Sequence, residues 1–501
     1  MVGIPGRSEG CTTCRRRKVR CDLAKPSCQR CTSSQRQCEG YEKYPVFINR
    51  GQQGLQKRKR LEEARPAQSR HTEMIAPAVT SPHKQPSMAS SPPCRYLLED
   101  QCISVFWDGF SARSVTDSRP ASDPAWLHHI LNISSPVDTL RQTLLSLAYT
   151  RLGRLNDDPA AVLRGQQVYG QALKTMQQAL YDPHWSRHDE TLAAARCMVL
   201  YESFESTSES MTSWFNQIGG VAQIIELRGP QNHRRPLQRT ILESMRYNVM
   251  IACTMRRKDS FFAQHQWLTE PWRDDIKNLE QRYIDQGFVL ASMLERSDAL
   301  SQRNSCDEFS TRRAVVDILR RLLDGLSNLQ ALSQELAEVE AQYARSKPAG
   351  YNVKELCTPQ TGEVTIAVAS ATIMALELSY ATLAAALVSR YTSKLQLDHD
   401  DSSILAGIRP YLDQSRRLTL SRQLLQDLET CLEGRNLDFT RGRLILPLNV
   451  VRWELREYPE DSAKIGELFD FATAKGKYRI ARSVLKAGTS PLPDIVLNAK
   501  K

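Results

Sequence analysis

Six cysteines within the first 38 residues constrain the fold of this chain more than any other feature. They form two copies of the pattern C-x2-C-x6-C, and the second copy lies 17 positions after the first: Cys11, Cys14, Cys21, Cys28, Cys31 and Cys38. Thiolate sulfurs at this spacing are typical metal ligands. The pattern therefore predicts a small module that a metal centre holds together.

The number of sulfurs indicates how many metal ions the module takes. Structural zinc binds four ligands in a tetrahedron, and thiolate sulfur is a preferred ligand. One zinc would leave two of the six cysteines over. Two zincs need eight ligand places, which six sulfurs fill only if two of them bridge both metals. The symmetry of the repeat assigns the bridges to Cys11 and Cys28, and we expect two zinc ions.

Three other interpretations of the cysteines compete with this one. A disulfide framework is typical of small exported domains, but residues 1–10 contain no apolar signal region, since Arg7 and Glu9 interrupt it. A histidine-containing finger needs histidine ligands, and the first histidine is His71. Six unpaired thiols would have no reason to repeat at a fixed offset. The zinc interpretation is favoured over all three.

A run of cations, Arg15-Arg16-Arg17-Lys18-Val19-Arg20, lies between two of the predicted ligands. Lys or Arg donating to guanine O6 and N7 is the commonest specific contact in the DNA major groove. Further cations set the register and add affinity through counterion release. A basic run is also found on solvated faces and in nuclear-import signals. Because this run is joined to the cysteine frame, it predicts contact with DNA.

This stretch resembles the fungal zinc-cluster (Zn2Cys6) binuclear transcription factors. The residues that carry the resemblance are Cys11-Thr12-Thr13-Cys14-Arg15-Arg16-Arg17-Lys18-Val19-Arg20-Cys21-Asp22 and Lys25-Pro26-Ser27-Cys28-Gln29-Arg30-Cys31. The resemblance implies two short helices around a binuclear zinc core, loop-rich, that reads a CGG-like triplet in the major groove. It also implies that Lys18 reads a base with Arg17 as its assistant. The phosphate-side cations would be Arg15, Arg16, Arg20 and Lys25.

The distribution of charge supports a division of labour along the chain. Residues 1–70 contain 17 Lys and Arg against 6 Asp and Glu, a net charge of +11, which equals the net charge of the whole chain. We expect a DNA-binding domain at 1–45 and a disordered, basic and Ser-Pro-rich linker at 46–93, because the linker has too little apolar mass to offset its ordering entropy. Within the linker, Lys57-Arg58-Lys59-Arg60 is a candidate for nuclear import or phosphate contact, against a solvated linker.

A dimerising coiled coil next to the cluster is not supported. Leu55 and Leu61 are the only large apolar residues at 51–65, and heptads need apolar positions over several turns. A homodimer would therefore form through the helical region that follows.

Residues 94–501 are predicted to form a large all-α regulatory domain. This segment is long enough for two lobes, with a seam near 346–362. Apolar residues recur at helical spacing after Ser135-Pro136-Val137-Asp138, which reads as a helix start. The same periodicity appears at 192–200, 237–255, 313–343, 413–432 and 462–485. Alternating β patterns are scarce. The sequence thus places a zinc module before an all-helical body.

This body also resembles the fungal-specific helical regulatory domain that follows the cluster in such factors. The resemblance rests on Tyr201-Glu202, Trp214, Gly219-Gly220 and Leu227-Arg228-Gly229-Pro230. Arg228-Gly229-Pro230 predicts a helix end, because glycine follows the cap and proline prevents continuation. We interpret these residues as structural, and none of them identifies an effector pocket.

Residues 365–388 could be mistaken for a membrane span, since their only charge is Glu377. The segment is rich in Ala, Ser and Thr, and a central acid costs roughly 2.5 to 3.5 kcal/mol on insertion scales. We therefore expect a buried core helix and no membrane partner.

Motifs of catalysis are scarce, and the sequence predicts no enzyme. It has no Gly-rich phosphate loop, no H-E-x-x-H and no nucleophile elbow. The pairs His128-His129 and His184 with His188 lack a third metal ligand. The seven cysteines outside the cluster have no metal spacing and read as core residues, or one of them as a redox sensor: Cys94, Cys102, Cys197, Cys253, Cys306, Cys357 and Cys431.

Together these features predict a nuclear, sequence-specific regulator of RNA polymerase II genes. Its expected partners are double-stranded DNA, the transcription machinery and a second copy of the chain. The alternative is a transcriptional cofactor or protein-interaction subunit in which the zinc cluster is structural. Cations placed between the metal ligands favour the regulator.

Overall fold

The computed structural model describes residues 11, 13–14, 17, 19, 21–24, 27–34, 36–38, 93–110, 130, 138–207, 211–302, 308–345, 363–391, 399–433, 443–474, 479–480 and 483. The chain divides into two compact units, Met1–Val46 and Phe47–Lys501. No β-strand occurs among the described residues of either unit. The predicted fold class, a small cysteine-rich module and a large all-α body, is confirmed. The linker at 46–93 lies outside the described residues apart from Pro93.

Helix α1 of the small unit is a single turn, Gln29–Thr32. The large unit contains a series of longer helices. They are α2 (Pro93–Phe110), α3 (Thr139–Leu155), α4 (Pro159–Tyr181), α5 (Asp189–Glu205), α6 (Thr212–Arg228), α7 (Pro236–Arg256), α8 (His265–Thr269), α9 (Leu279–Gln302), α10 (Glu308–Arg345), α11 (Glu363–Tyr391), α12 (His399–Leu412), α13 (Gln414–Glu433), α14 (Ile445–Glu454) and α15 (Pro459–Ala474). Short 3-10 turns join several of them.

The helix ends follow local sequence signals. Asp158 caps α4 by accepting hydrogen bonds from the amides of Ala160 and Ala161, and Pro159 takes the first helical position. Helix α6 ends at Arg228 with Gly229 at φ +80°, a conformation that favours glycine. The predicted stop at Arg228-Gly229-Pro230 is therefore confirmed.

Helices pack on neighbours in sequence and on helices two or three further along the chain, so that the core runs through the body. Helices α2, α4 and α5 contact α3, and α6, α7, α9 and α10 continue the succession. Helix α11 contacts α9, α10, α12, α13 and α14, which places it at the centre of the second half of the chain. The large unit has one hydrophobic core.

The central position of α11 explains its composition. Among the described residues, one helix is long and apolar enough to cross a membrane, at Ile366–Tyr391, and 78% of its most apolar window is buried inside the protein. The Glu377 carboxylate meets Arg416 of α13 at 3.7 Å, while burial raises its pKa. Gly325 of α10 allows the Tyr380 ring to approach the backbone, and the Tyr380 hydroxyl donates to the Gln286 carbonyl. A buried core helix is what the sequence predicted here.

A buried ion pair ties α7 to α9. Arg246 of α7 has no exposed surface, and its guanidinium pairs with Asp285 of α9. Lys277, from the segment before α9, pairs with the same carboxylate at 2.7 Å. The guanidinium of Arg246 also lies 4.8 Å from the centroid of the Trp272 ring. This cluster anchors the irregular segment between α7 and α9.

A second polar cluster joins α5, α6 and α7. Arg228 at the end of α6 donates to the Arg187 carbonyl and pairs with Asp189 at the start of α5. Gln238 of α7 donates to the second oxygen of Asp189 at 2.6 Å. His233 is fully buried, and its Nδ1 atom lies 3.4 Å from the carbonyl oxygen of Gln238. These contacts make the residues around the predicted helix stop structural.

Two further residues of the second resemblance, Trp214 and Glu202, are also buried in packing contacts. The Trp214 indole donates to the Ser203 hydroxyl at 3.1 Å, and the Glu202 carboxylate accepts from the Tyr169 and Thr207 hydroxyls. Both side chains are almost fully buried.

Two predictions about helix bounds extend past the described residues. The start at Ser135 lies outside them, and the described helix begins at Thr139 after Asp138. The helix predicted at 462–485 is described as α15 only to Ala474, with a few further residues at 479–480 and 483. The seam predicted near 346–362 also lies outside the described residues.

Candidate metal centre and nucleic-acid interface

The six cysteines converge on two overlapping groups of four sulfurs. One group contains Cys11, Cys14, Cys21 and Cys28, and the other contains Cys11, Cys28, Cys31 and Cys38. Within each group all four sulfurs lie within 4.8 Å of one another. Cys11 and Cys28 belong to both groups, and these are the two residues that the repeat nominated as bridges.

The sulfur separations match a zinc thiolate cage. The Sγ atom of Cys28 lies 3.6 Å from those of Cys11 and Cys14, and the Sγ atom of Cys31 lies 3.8 Å from the same two. Four sulfurs bound about 2.3 Å from one zinc stand about 3.8 Å apart in a tetrahedron. A disulfide would bring two sulfurs to about 2.05 Å. All six cysteines are free, which excludes the disulfide framework.

Backbone amides point at the two shared sulfurs. The Cys14 amide donates to the Cys11 sulfur at 3.4 Å, and the Cys31 amide donates to the Cys28 sulfur at 3.3 Å. The two contacts are equivalent under the 17-residue offset. Each forms because the x2 spacing folds back into one turn, which in the second half is the start of α1. Hydrogen bonds to a thiolate favour its charged form.

Burial opposes the charged form. Cys11, Cys14, Cys28 and Cys31 are fully buried, while Cys21 and Cys38 are partly exposed. Desolvation raises the pKa of the Cys11, Cys14 and Cys28 thiols. Buried thiolates at this density therefore need a compensating cation, and zinc is the ion that four soft sulfurs in a tetrahedron select. The donor set fits two zinc ions.

Of the residues predicted to contact DNA, the structure describes Arg17. Arg15, Arg16, Lys18, Arg20 and Lys25 lie outside the described residues, as does the import candidate at 57–60. Arg17 is described and is half buried, and its amide donates to the Thr13 carbonyl at 3.2 Å. The cation run thus follows a turn that starts inside the first cysteine pair.

Other metal candidates fall away among the described residues. The rings of His184 and His188 are 5.9 Å apart, but these two residues form no group of three or more possible metal ligands. Among the described residues, only the two cysteine groups do so. The Nδ1 atom of His188 instead accepts from the Glu190 amide and caps α5. His128 and His129 lie outside the described residues.

The described cysteines of the large unit are core residues. Cys197 and Cys431 are buried, and desolvation raises the pKa of the Cys197 thiol to about 12 and that of Cys253 to about 11. Thiols with raised pKa values react slowly as nucleophiles. Cys306 and Cys357 lie outside the described residues, and the side chain of Cys94 is not described.

Comparison with known protein families identifies the class. Residues 9–45 match the fungal Zn(2)-Cys(6) binuclear cluster domain, and residues 112–287 match the fungal specific transcription factor domain. The chain thus carries a cluster domain of the type that binds DNA and two zinc ions, and a domain found in fungal transcription factors, which are generally non-enzymatic. A nuclear location is typical of such factors.

Individual relatives match over short stretches. Transcriptional regulatory protein moc3 of Schizosaccharomyces pombe is 59% identical over 32 residues, 6% of each chain. Arginine metabolism regulation protein II of Saccharomyces cerevisiae is 61% identical over 33 residues, 7% of this chain and 4% of the relative. An uncharacterised protein of Emericella nidulans is 24% identical over 116 residues, 23% of this chain and 24% of the relative.

The chain thus spans a quarter or less of the length of these relatives. No solved structure matches it.

Sequence reasoning missed two side chains near the sulfurs, Asp22 and Thr13. Both hydrogen-bond across the two halves of the repeat. The 17-residue offset was the signal that could have drawn attention to these residues. It makes Thr13 equivalent to Arg30, whose amide donates to the Asp22 carboxylate.

Proposed function

We propose that this chain is a nuclear, sequence-specific regulator of RNA polymerase II genes. Its zinc cluster, ligated by Cys11, Cys14, Cys21, Cys28, Cys31 and Cys38, would read a CGG-like triplet in the major groove. The observation that carries the proposal is the pair of four-sulfur groups that share Cys11 and Cys28, and in the sequence the cation run lies between Cys14 and Cys21 of the first group.

The resemblance to the zinc-cluster family assigns the roles of the cations. Lys18 would donate to guanine O6 and N7, assisted by Arg17, and a cation donating to that edge is the commonest specific contact. Arg15, Arg16, Arg20 and Lys25 contact phosphates, where they release counterions and fix the register. The zinc ions supply the structural charge that holds six thiolates together.

The rest of the chain would serve regulation. We assign the DNA-binding domain to 1–45, a linker to 46–93 and the regulatory domain to 94–501. The last of these carries no excess charge, because residues 71–501 are formally neutral. A neutral surface gives little counterion release, so the helical body contributes a partner surface or self-association in place of DNA affinity. Lys57-Arg58-Lys59-Arg60 would direct nuclear import, and the protein has no catalytic activity.

A binding titration tests this proposal. The full chain is titrated with a CGG-containing duplex and a scrambled duplex of the same composition at matched salt, with and without a zinc chelator. Preference for CGG that the chelator abolishes supports the proposal. Equal, weak binding to both duplexes, with zinc present, would favour the alternative in which the cluster only folds the N-terminus of a cofactor subunit.

A further inference from the structure

Besides the contacts among the sulfurs, two hydrogen bonds connect the halves of the cysteine repeat in the part of the module that the structure describes. The Asp22 carboxylate accepts from the Arg30 amide at 2.9 Å, and its other oxygen accepts from the Ala24 amide at 3.1 Å. In the opposite direction, the Thr13 hydroxyl donates to the Gln37 carbonyl at 3.3 Å. Asp22 directly follows Cys21, and Gln37 directly precedes Cys38.

The two contacts occupy related positions. Adding 17 to Thr13 gives Arg30, and each of these residues lies between the first two cysteines of its own half. The partner of each lies next to the third cysteine of the other half, since Asp22 follows Cys21 and Gln37 precedes Cys38. Within the halves, two backbone contacts obey the offset itself: Val19 donates to the Cys14 carbonyl at 3.1 Å and Arg36 to the Cys31 carbonyl at 3.0 Å. The crossing bonds therefore connect the first cysteine pair of each half to the region of the third cysteine of the other half.

Sulfur ligation alone leaves one motion free. Two tetrahedra that share the Cys11–Cys28 edge can fold about that edge like a hinge while every metal–sulfur distance is kept. Such folding would swing the first half against the second. The Asp22 and Thr13 bonds join the halves through residues other than Cys11 and Cys28, so a folding motion that separates these residues must stretch them.

We propose that Asp22 and Thr13 are positioning residues that fix the hinge angle of the bridged cage. Resting on the proposed function, this sets where the cations between Cys14 and Cys21 stand relative to the second half, and hence the discrimination between DNA sites. Orientation of metal ligands by hydrogen-bonding groups outside the ligand shell is a general device.

The test uses the full chain and a graded series at Asp22. Asp accepts both hydrogen bonds, Asn can accept one, and Ala accepts none, while Asn and Ala remove the same charge. The apparent zinc dissociation constant, measured by competition with a chromogenic chelator, should rise about five-fold for each hydrogen bond lost. The ratio of CGG to scrambled-duplex affinity should fall in the same order.

Thr13 supplies an independent arm. Thr13→Val removes the hydroxyl at constant shape and should weaken zinc binding about five-fold, while Thr13→Ser should restore it. The matched control is Ser34→Ala, which removes a hydroxyl bond of 2.8 Å to the Arg30 carbonyl within the second half and should change neither readout.

The outcomes separate this inference from the proposed function. Equal effects of Asp22→Asn and Asp22→Ala would show a charge effect and overturn the inference, as would wild-type zinc affinity and site discrimination in every variant. In both cases the proposed function is tested separately, by measuring the zinc content and the CGG preference of the unmodified chain. If Asp22→Ala fails to hold zinc, the Asp22→Asn and Thr13 variants decide the matter.

Discussion

The sulfur atoms of Cys11 and Cys28 lie 3.6 Å apart, and they are the two sulfurs that both four-sulfur groups contain. Each is also the acceptor of an amide hydrogen bond from the third residue after it. Both sulfurs are fully buried, and their place in both groups is expected if each sulfur serves two metal ions.

Removing a shared sulfur should cost more zinc than removing one that serves a single ion. Cys28→Ser takes a ligand from both groups, so we expect close to no zinc per chain, whereas Cys38→Ser leaves the first group complete and should retain close to one. Metal analysis of the purified full chain measures both. A Cys28→Ser protein that retains as much zinc as Cys38→Ser would contradict the shared role.

Substitutions in the cation run should separate base reading from phosphate contact. Lys18→Ala should lower discrimination between CGG-containing and altered duplexes by roughly 1–3 kcal/mol, as expected for a base-edge contact. Arg15→Ala should weaken all duplexes alike and flatten the salt dependence. Titrations on matched and mismatched duplexes at several salt concentrations distinguish them. Equal losses on every duplex for Lys18→Ala would place Lys18 on phosphate.

Breaking the buried ion pair of the helical body should destabilise it strongly. Asp285→Asn leaves the fully buried guanidinium of Arg246 without its counter-charge, and such a change typically costs about 3–5 kcal/mol. The midpoint of denaturant unfolding, followed by helical circular dichroism, should fall accordingly. Lys464→Met is the control, because its ion pair with Glu429 is half exposed and should contribute below about 1 kcal/mol. Similar shifts in both variants would refute the assignment.

Acid should destabilise the body through His233. Burial, followed by the nearby Arg228 charge, lowers the pKa of His233 from 6.5 to about 4 in the folded chain, against the opposing effect of Asp189. Between these values the unfolded chain binds a proton that the folded chain does not, so stability falls as pH drops from about 6.5 to about 4, by up to about 3 kcal/mol.

The difference between wild type and His233→Asn isolates this contribution. Buried acids such as Glu202, whose pKa burial raises, act in the opposite direction and are common to both proteins. Unfolding midpoints of the two proteins should therefore converge as the pH falls towards 4. A constant difference over that range would exclude the histidine as the source.

The convergence of the six cysteine sulfurs could be predicted from the sequence because metal-ligand spacing is a local pattern and the number of ligands can be counted. Six sulfurs, two zinc ions and a symmetric repeat leave few arrangements, and Cys11 and Cys28 emerge as shared. The burial of α11 was likewise predictable, since Glu377 alone interrupts an apolar stretch whose residues are small. The helical spacing of apolar residues predicted most helices of the large unit, because this spacing is also a local pattern.

Contacts that depend on the angle between segments could not be predicted. Arg246 and Asp285 are 39 residues apart on separate helices, and each reads in isolation as a surface charge. The bond from Asp22 to the Arg30 amide requires Leu23 to adopt φ +63°, which no pattern in the sequence announces. Arg17 was expected to assist base reading, and its partial burial depends on how the turn after Cys14 closes.

The matching halves of the cage carry unmatched charge. The 17-residue offset pairs the run 15–20 with 32–37, where Thr, Ser and Gln replace all five cations and the single cation, Arg36, is opposite Val19. A cage of two equivalent halves has no direction of its own along a duplex, but one with most of its cations on one half does. On DNA bound as proposed, the triplet would therefore be read in one strand polarity. Inverting a site in a promoter would then reverse the direction in which the zinc cluster lies along the double helix.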